Sequence, residues 1–302
     1  MGFKLVKKRS NSSVVTCPES PTSSSEFLEM DILPNTPGQT VGEKQCFRQL
    51  KKWCWDSDLI VEDSLIMRFS HFHNFDIERT KTALEEHQDN QLLRLQMRGP
   101  VLKQVQQGAL LPLPGLKTKM EGSEVCYFRP SRFSPQTTDS SMLIQNLCYV
   151  LNDLSSTEEQ CRQGVTFLAN MKSFSTKLYD EELWLEILNV LQGNVIPTTI
   201  SLFIVLNPPT WFGRIWRQMK THMSASFLQK VRLVETEDLP EYFEQGYETY
   251  LPDDMQGWRN TSEMLEDYID RRIFIDKRSS KTKKAMHRAS LDLRLLEVPL
   301  EV

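Results

Sequence analysis

No uninterrupted apolar run in this 302-residue chain is long enough to cross a bilayer as a helix. The start, MGFKLVKKRS, lacks the apolar stretch of a secretory signal. Gly2 is present, yet Val6 stands where N-myristoylation wants Ser or Thr, so that lipidation is not expected. The six cysteines, Cys17, Cys46, Cys54, Cys126, Cys148 and Cys161, contain no C-x-x-C pair. Without a signal they read as free thiols of a reducing, cytoplasmic compartment. Positive charge is not in excess either. The formal net charge is -4, which argues against a globally basic nucleic-acid binder and leaves only local basic patches.

Catalytic signatures are missing as well. There is no G-x-x-x-x-G-K-[ST] loop, no G-x-G-x-x-G after a strand and no G-x-S-x-G elbow. The carboxylate pairs Glu181-Glu182 and Asp253-Asp254 are adjacent in sequence, so the two members of a pair do not face one site. A helix N-terminus accounts for the first pair. His71 and His73 are two apart and do not share a helix face, and no Cys or carboxylate completes a ligand set. They read as the polar rim of a helix packing surface. The chain is not expected to be an enzyme, to hold a metal or to carry a cofactor.

What is there divides into four stretches. Residues 1–44 are rich in Ser, Thr, Pro and Gly and read as a disordered leader, because such a segment buries too little apolar surface to offset its ordering. Residues 45–107 read as an N-terminal helical bundle. Leu65, Ile66, Phe69 and Phe72 fall on roughly one helical side, a turn follows at His73-Asn74-Phe75, and Asp76 caps a helix that starts at Ile77 and runs to about Met97.

From 108 to 257 the pattern alternates. Ala109 to Leu113 is an edge segment with Pro112 inside it, followed by a polar turn over Lys117 to Ser123. EVCYFR from Glu124 is a strand, Ser141 to Leu151 a helix, and Gly164 to Ala169 a strand. Asp180 to Leu191 is a buried helix with an acidic cap, and Ile200 to Leu206 is the strongest strand. Trp211 to Met223 is a helix and Val231 to Val234 a short strand. This order predicts an α/β fold with a mostly parallel sheet covered by helices. The last stretch, 258–302, is a helical basic extension, with a helix over Glu263 to Ile275.

The segment PPTWFGRIWRQMKTHM stands out. Phe212, Ile215, Trp216, Met219 and Met223 make a broad apolar helix face, with Trp211 at its start. Arg214, Arg217 and Lys220 recur every three residues beside it. Two readings stay open on periodicity alone. One is an amphipathic helix that meets a membrane interface. The other is a core helix with a solvated edge.

Five pieces in order resemble the CRAL-TRIO, or Sec14-like, lipid-binding family. They are FSHFHNFDIERTKTALEEH at 69–87, GALLPLPG at 108–115, CYFRPSRFSP at 126–135, FIVLNPPTWFGRIWRQMK at 203–220 and LPDDMQG at 251–257. LYDEELWLEILNVLQG also resembles the lipid-binding domain that animals fuse to a non-receptor tyrosine phosphatase, although no H-C-x-x-x-x-x-R loop occurs here. The tocopherol- and retinaldehyde-binding members are the nearest in character.

The resemblance implies a sheet whose floor and covering helices enclose one apolar lipid pocket, with a mobile gate helix after an Asn-x-Pro strand end. Asn207-Pro208-Pro209 ends the strand here. The gate would comprise Trp211, Phe212, Arg214, Ile215, Arg217, Met219, Lys220 and Met223. Together with the apolar content, the resemblance implies a long cavity lined by Phe128, Phe167, Leu188, Phe203, Val205, Phe212 and Trp216. A one-residue phase error would exchange the strand faces.

The headgroup pattern departs from the family. Asn170 replaces a frequent Asp, Thr198 stands where phosphatidylinositol carriers have an acid, and Thr198, Thr199 and Ile200 replace the basic residues of tocopherol-transfer members. Lys220 matches the gate lysine, and Met255-Gln256-Gly257 replaces a double-glycine close. The implied ligand is an anionic phospholipid or phosphoinositide, exchanged or presented at membranes. The alternatives are a neutral isoprenoid, retinoid or tocopherol-like lipid, and an interaction module that kept the fold without a transferred ligand.

The basic tail, Arg271, Arg272, Lys277, Arg278, Lys281, Lys283, Lys284 and Arg288, is opposed only by Asp276. It reads either as a solvated end or as a tether to an anionic leaflet. The expected partners are therefore a lipid, an anionic membrane surface touched transiently, and a protein partner through the termini. Nucleic acid is not expected.

Overall fold

The computed structural model describes residues 40–59, 61–89, 105–120, 122–134, 139–193 and 195–275. The chain divides into two units, Met1–Val41 and Gly42–Val302, and the fold below is that of the second. Most of the stretch read as a leader lies outside the described residues. So do Lys277, Arg278, Lys281, Lys283, Lys284 and Arg288 of the basic tail.

Three helices come first: α1 (Val41–Asp56), α2 (Asp63–Phe72) and α3 (Ile77–Asp89). The first begins inside the stretch read as a leader. Its apolar residues explain this. Cys46, Phe47, Leu50 and Cys54 recur at helical spacing and are all buried. Ile66, Phe69 and Leu84 complete a small apolar cluster with them. The turn before α3 places Asn74 and Phe75 in the left-handed region, with φ of 52° and 61°. Asp76 then caps α3 by accepting from the Arg79 N–H at 3.1 Å.

The sheet has five strands: β1 (Leu110–Lys117), β2 (Glu124–Phe128), β3 (Val165–Asn170), β4 (Ile200–Leu206) and β5 (Val231–Val234). Their spatial order is their sequence order. β1 is antiparallel to β2, and the other neighbours are parallel. β1 runs to Lys117, into the expected polar turn, and its register breaks between Leu113 and Lys117. An edge position tolerates the two prolines, which cannot donate to a ladder.

The larger covering helices are α4 (Ser140–Leu154), α5 (Glu158–Gln163), α6 (Glu181–Leu191) and α7 (Phe212–Met219), followed by α8 over 261–275. α6 starts where its cap predicts: the Asp180 carboxylate accepts from the Leu183 N–H at 3.1 Å. α5 is absent from the sequence-based expectation. It is held by a capping box between Thr157 and Gln160.

Strands that add in sequence order through right-handed crossovers put their helices on one face. On that face α4 and α6 form the largest apolar cluster with Phe128, Phe167 and Phe203. The opposite face carries Leu111, Tyr127, Leu168, Ile204 and Leu206. It is covered by Leu239, Phe243, Leu251, Met255 and Met264 from the C-terminal segment. Burial on both faces is what continuous apolar strands such as ISLFIVL require.

The helix α8 is part of this body and not a detached extension. Met264 joins the second cluster, and Tyr268 and Ile269 join the first. Arg272 forms an ion pair with Asp153 and donates to the Tyr149 hydroxyl at 2.9 Å. Arg271 reaches the same carboxylate at 3.3 Å. The guanidinium groups of these two arginines are thus engaged by Asp153 of α4, Arg271 at the surface and Arg272 half-buried. Among the described residues no helix is long and apolar enough to cross a membrane.

Candidate functional site

The site is built outward from the end of β4. Asn207 takes φ 52°, a left-handed conformation that Asn tolerates better than most side chains. Its side-chain oxygen accepts from the Thr236 N–H at 3.2 Å and hydroxyl at 3.1 Å. Pro208 and Pro209 follow and supply no N–H to extend the ladder. The chain is thereby turned out of the sheet and into α7.

Along α7 the apolar and basic residues separate. Phe212 and Met219, with Met223 just beyond, are buried in the first cluster, and Trp211, Ile215 and Trp216 lie half-buried against it. Arg214, Arg217 and Lys220 are exposed. Among the described residues no carboxylate lies within ion-pair distance of them. The Lys220 ammonium sits 5.7 Å from the centre of the Trp216 ring. One side of this helix belongs to the core and the other is a solvated basic edge.

Few polar bonds tie α7 and the turn after it to the covering helices. Gln218 donates to Glu181 at the start of α6. Gln192, at the other end of α6, donates to the His222 carbonyl at 3.0 Å and accepts from the Ser224 N–H at 2.8 Å. All of these bonds are solvent-exposed, where a hydrogen bond contributes about 0.5–1.5 kcal/mol at most.

The seven residues read as cavity lining, Phe128, Phe167, Leu188, Phe203, Val205, Phe212 and Trp216, all fall in this one cluster. The strand phase is consistent, because Phe128, Phe167, Phe203 and Val205 share the face that meets α6. The rings touch: Phe128 and Phe167 are 5.8 Å apart, Phe167 and Phe203 are 5.4 Å apart, and Phe212 stacks on Trp216 at 6.2 Å. Apolar walls close on one another because a narrow void forfeits dispersion contacts on both sides. Two further rings join that were not singled out from the sequence. Trp184 lies 5.8 Å from Phe128, and Phe174 lies 5.6 Å from Trp211. Trp184 was legible, since it stands on the buried phase of α6 with Leu183, Ile187 and Leu188.

Thr198 is buried, and its hydroxyl is 3.3 Å from that of Ser155. Of the two residues after it, only Thr199 is exposed. Burial pushes the Cys148 thiol up to about 12 and the Cys161 thiol up to about 11, so both are protonated at neutral pH and are poor nucleophiles.

Residues 115–257 match the family model described as the CRAL/TRIO domain. Human tyrosine-protein phosphatase non-receptor type 9 is 17% identical over 234 residues, 76% of this chain. The chain spans 39% of the length of that relative. A crystal structure of Sfh5 aligns over 79% of this chain and 99% of that one, with 12% identity and a TM-score of 0.49.

Proposed function

With residues 115–257 forming a CRAL/TRIO domain, we propose that this chain binds one hydrophobic lipid among the rings of its first apolar cluster and exchanges or presents it at a membrane, without covalent chemistry. One observation carries the reading: α7 covers the ring cluster with its apolar side, shows three cations to solvent, and is held at its far end by exposed polar bonds. A long acyl chain leaving water gains about 0.8 kcal/mol per methylene, so its carrier needs an apolar interior that can be covered again. Breaking a few exposed bonds costs little by comparison, and an interface supplies what the cluster loses when α7 swings outward. The cations contribute about 1 kcal/mol each near an anionic leaflet, enough for reversible contact.

Lys220 favours an anionic phospholipid or phosphoinositide as the ligand. Thr198 contributes nothing to that choice because its hydroxyl is used internally. A neutral isoprenoid, retinoid or tocopherol-like lipid is the competitor. The protein would work on the cytoplasmic side of a membrane as a peripheral visitor, with any protein partner met through its termini.

A second reading is favoured by the ring-on-ring contacts themselves: the fold serves as an interaction module and no lipid enters. Native mass spectrometry of the purified chain with lipid extraction separates the two. Co-purification of one lipid per chain, displaced by phosphatidylinositol in preference to retinoid or tocopherol, is the expected result. A chain that stays lipid-free after exposure to mixed vesicles supports the module.

A further inference from the structure

A cleft of about 560 Å³ opens beyond the carboxyl ends of β2 and β3. That volume lies within the few hundred to one thousand Å³ typical of small-molecule sites. Among the described residues its lining side chains are all polar or charged, which suits a polar occupant.

The inner part is fixed. The Arg129 side chain is 4% exposed and donates to the Gly108 carbonyl at 2.7 Å and to Asp254 at 2.9 Å. Asp254 also accepts from the Tyr127 hydroxyl at 3.2 Å, and buried Asn170 donates to that hydroxyl at 2.9 Å. The charge of Asp254 is thus matched inside the protein.

The rim differs. Arg132 and Lys172 line the cleft from two separate segments, both are exposed, and neither has a carboxylate within ion-pair distance among the described residues. Ser131 and Ser173 add hydroxyl donors beside them. Asp253 and Gln256 add acceptors and an amide on the remaining side. With Asp254 matched by Arg129, two unmatched cations stand against one carboxylate. This balance disfavours a metal ion and favours a dianion.

We infer that this cleft is a second ligand site, independent of the lipid reading, for a phosphomonoester borne on a small hydroxylated body. The phosphate is taken by Arg132 and Lys172 with the serine hydroxyls, and the hydroxyls of the body are taken by Asp253 and Gln256. A dianionic phosphate suits two cations, and charge-assisted hydrogen bonds are the strong ones. A carboxylate beside an amide suits sugar-like hydroxyls, which need acceptors as well as donors. The same chemistry occurs on a soluble sugar phosphate and on a phosphorylated lipid headgroup.

Calorimetric titration of the full chain with glucose 6-phosphate, and with glucose as the phosphate-free control, tests the site. Saturable 1:1 binding of the phosphate ester and none of glucose is expected. Arg132→Gln with Lys172→Gln should weaken it at least tenfold while leaving the melting temperature unchanged, since both side chains are exposed. Replacing the α7 cations should leave it unaltered, which separates this site from the lipid reading. The source is read from vesicles carrying phosphatidylinositol 4-phosphate, compared with phosphatidylserine vesicles of equal charge. Loss by the double variant confined to the former assigns a headgroup, and loss only toward the sugar phosphate assigns a soluble metabolite. The site is overturned if the unaltered chain saturates with neither the sugar phosphate nor the monoester vesicles. It is equally overturned if the double variant binds both as well as the parent does.

Discussion

The Asn170 amide donates to the Tyr127 hydroxyl at 2.9 Å, and this sets where the phenolic proton goes. A hydroxyl has one proton. Because Asn170 supplies its own, the Tyr127 proton is left for Asp254, whose oxygens lie 3.2 Å away. The Asn170 oxygen is meanwhile occupied by the Lys172 N–H at 3.1 Å, which fixes the amide orientation. An aspartate at this position, frequent in the family this chain resembles, would compete with Asp254 for the same proton.

Asn170→Asp should therefore destabilise the fold at neutral pH by about 1–3 kcal/mol, the cost of an unsatisfied buried polar group beside a like charge. The deficit should shrink as the pH falls and the new carboxyl gains a proton to donate. Urea unfolding at pH 7 and pH 5 measures both effects. Equal stability of variant and parent at pH 7 would show that the proton assignment is immaterial.

Replacing Arg214, Arg217 and Lys220 together with Ala should leave thermal stability nearly unchanged, because the three side chains are exposed and without ion pairs among the described residues. Binding to anionic vesicles should fall by roughly a hundredfold at low salt, taking about 1 kcal/mol per cation. Binding to neutral vesicles should change little. Vesicle sedimentation over a salt series reads the difference, and an unaltered affinity would remove α7 from membrane contact.

The N-terminal helices should weaken in acid. His87 lies edge-on to Phe69 at 5.4 Å, and its Nδ1 is buried without a hydrogen-bond partner among the described residues. Burial, with Arg68 nearby, lowers its pKa from the usual 6.5 to about 4. The unfolded chain then binds more protons between these values. Stability is full above pH 6.5 and declines as the pH falls toward 4. About 1–2 kcal/mol is expected after allowing for partial exposure. His87→Leu should flatten that part of the profile in urea titrations, whereas an unchanged slope would place the acid sensitivity elsewhere.

Asp153→Ala should cost about 2–4 kcal/mol, since it leaves Arg272 half-buried without its ion-pair partner. For the same reason a chain cut after Asp270 should melt earlier than the intact protein. Melting curves of this truncation and of the intact chain distinguish a docked α8 from a detachable basic tail.

Much of the architecture was legible because apolar runs and caps act locally. Ile200–Leu206 and Val231–Val234 have the bounds their apolar runs suggest, and Asp180 announces α6. α5 was not legible by burial pattern. Its one fully buried side chain is charged: Glu158 is paired with Arg162 at 2.8 Å, and no apolar stripe marks the helix. Only the Thr157-to-Gln160 spacing signals it. Arg271 and Arg272 were read as tail because charge density along a sequence takes no account of a partner such as Asp153, more than a hundred residues away. The polar cleft joins residues 129–132, 170–173 and 253–256, and no one of these segments is a motif by itself. The ring cluster was found in the right phase, yet its closure depends on side-chain packing that periodicity does not encode.

Strand order that follows chain order has a consequence for biosynthesis. Each strand finds its neighbour already made, so the sheet grows by single additions as the chain emerges from the ribosome. Its second face is different: Leu168, Ile204 and Leu206 wait for Leu239, Phe243 and Met264, which are made only after β5. A nascent chain halted after β5 therefore carries a finished sheet with one bare apolar side. That exposed apolar side is the surface on which a nascent chain at this length would be open to chaperone binding or to aggregation.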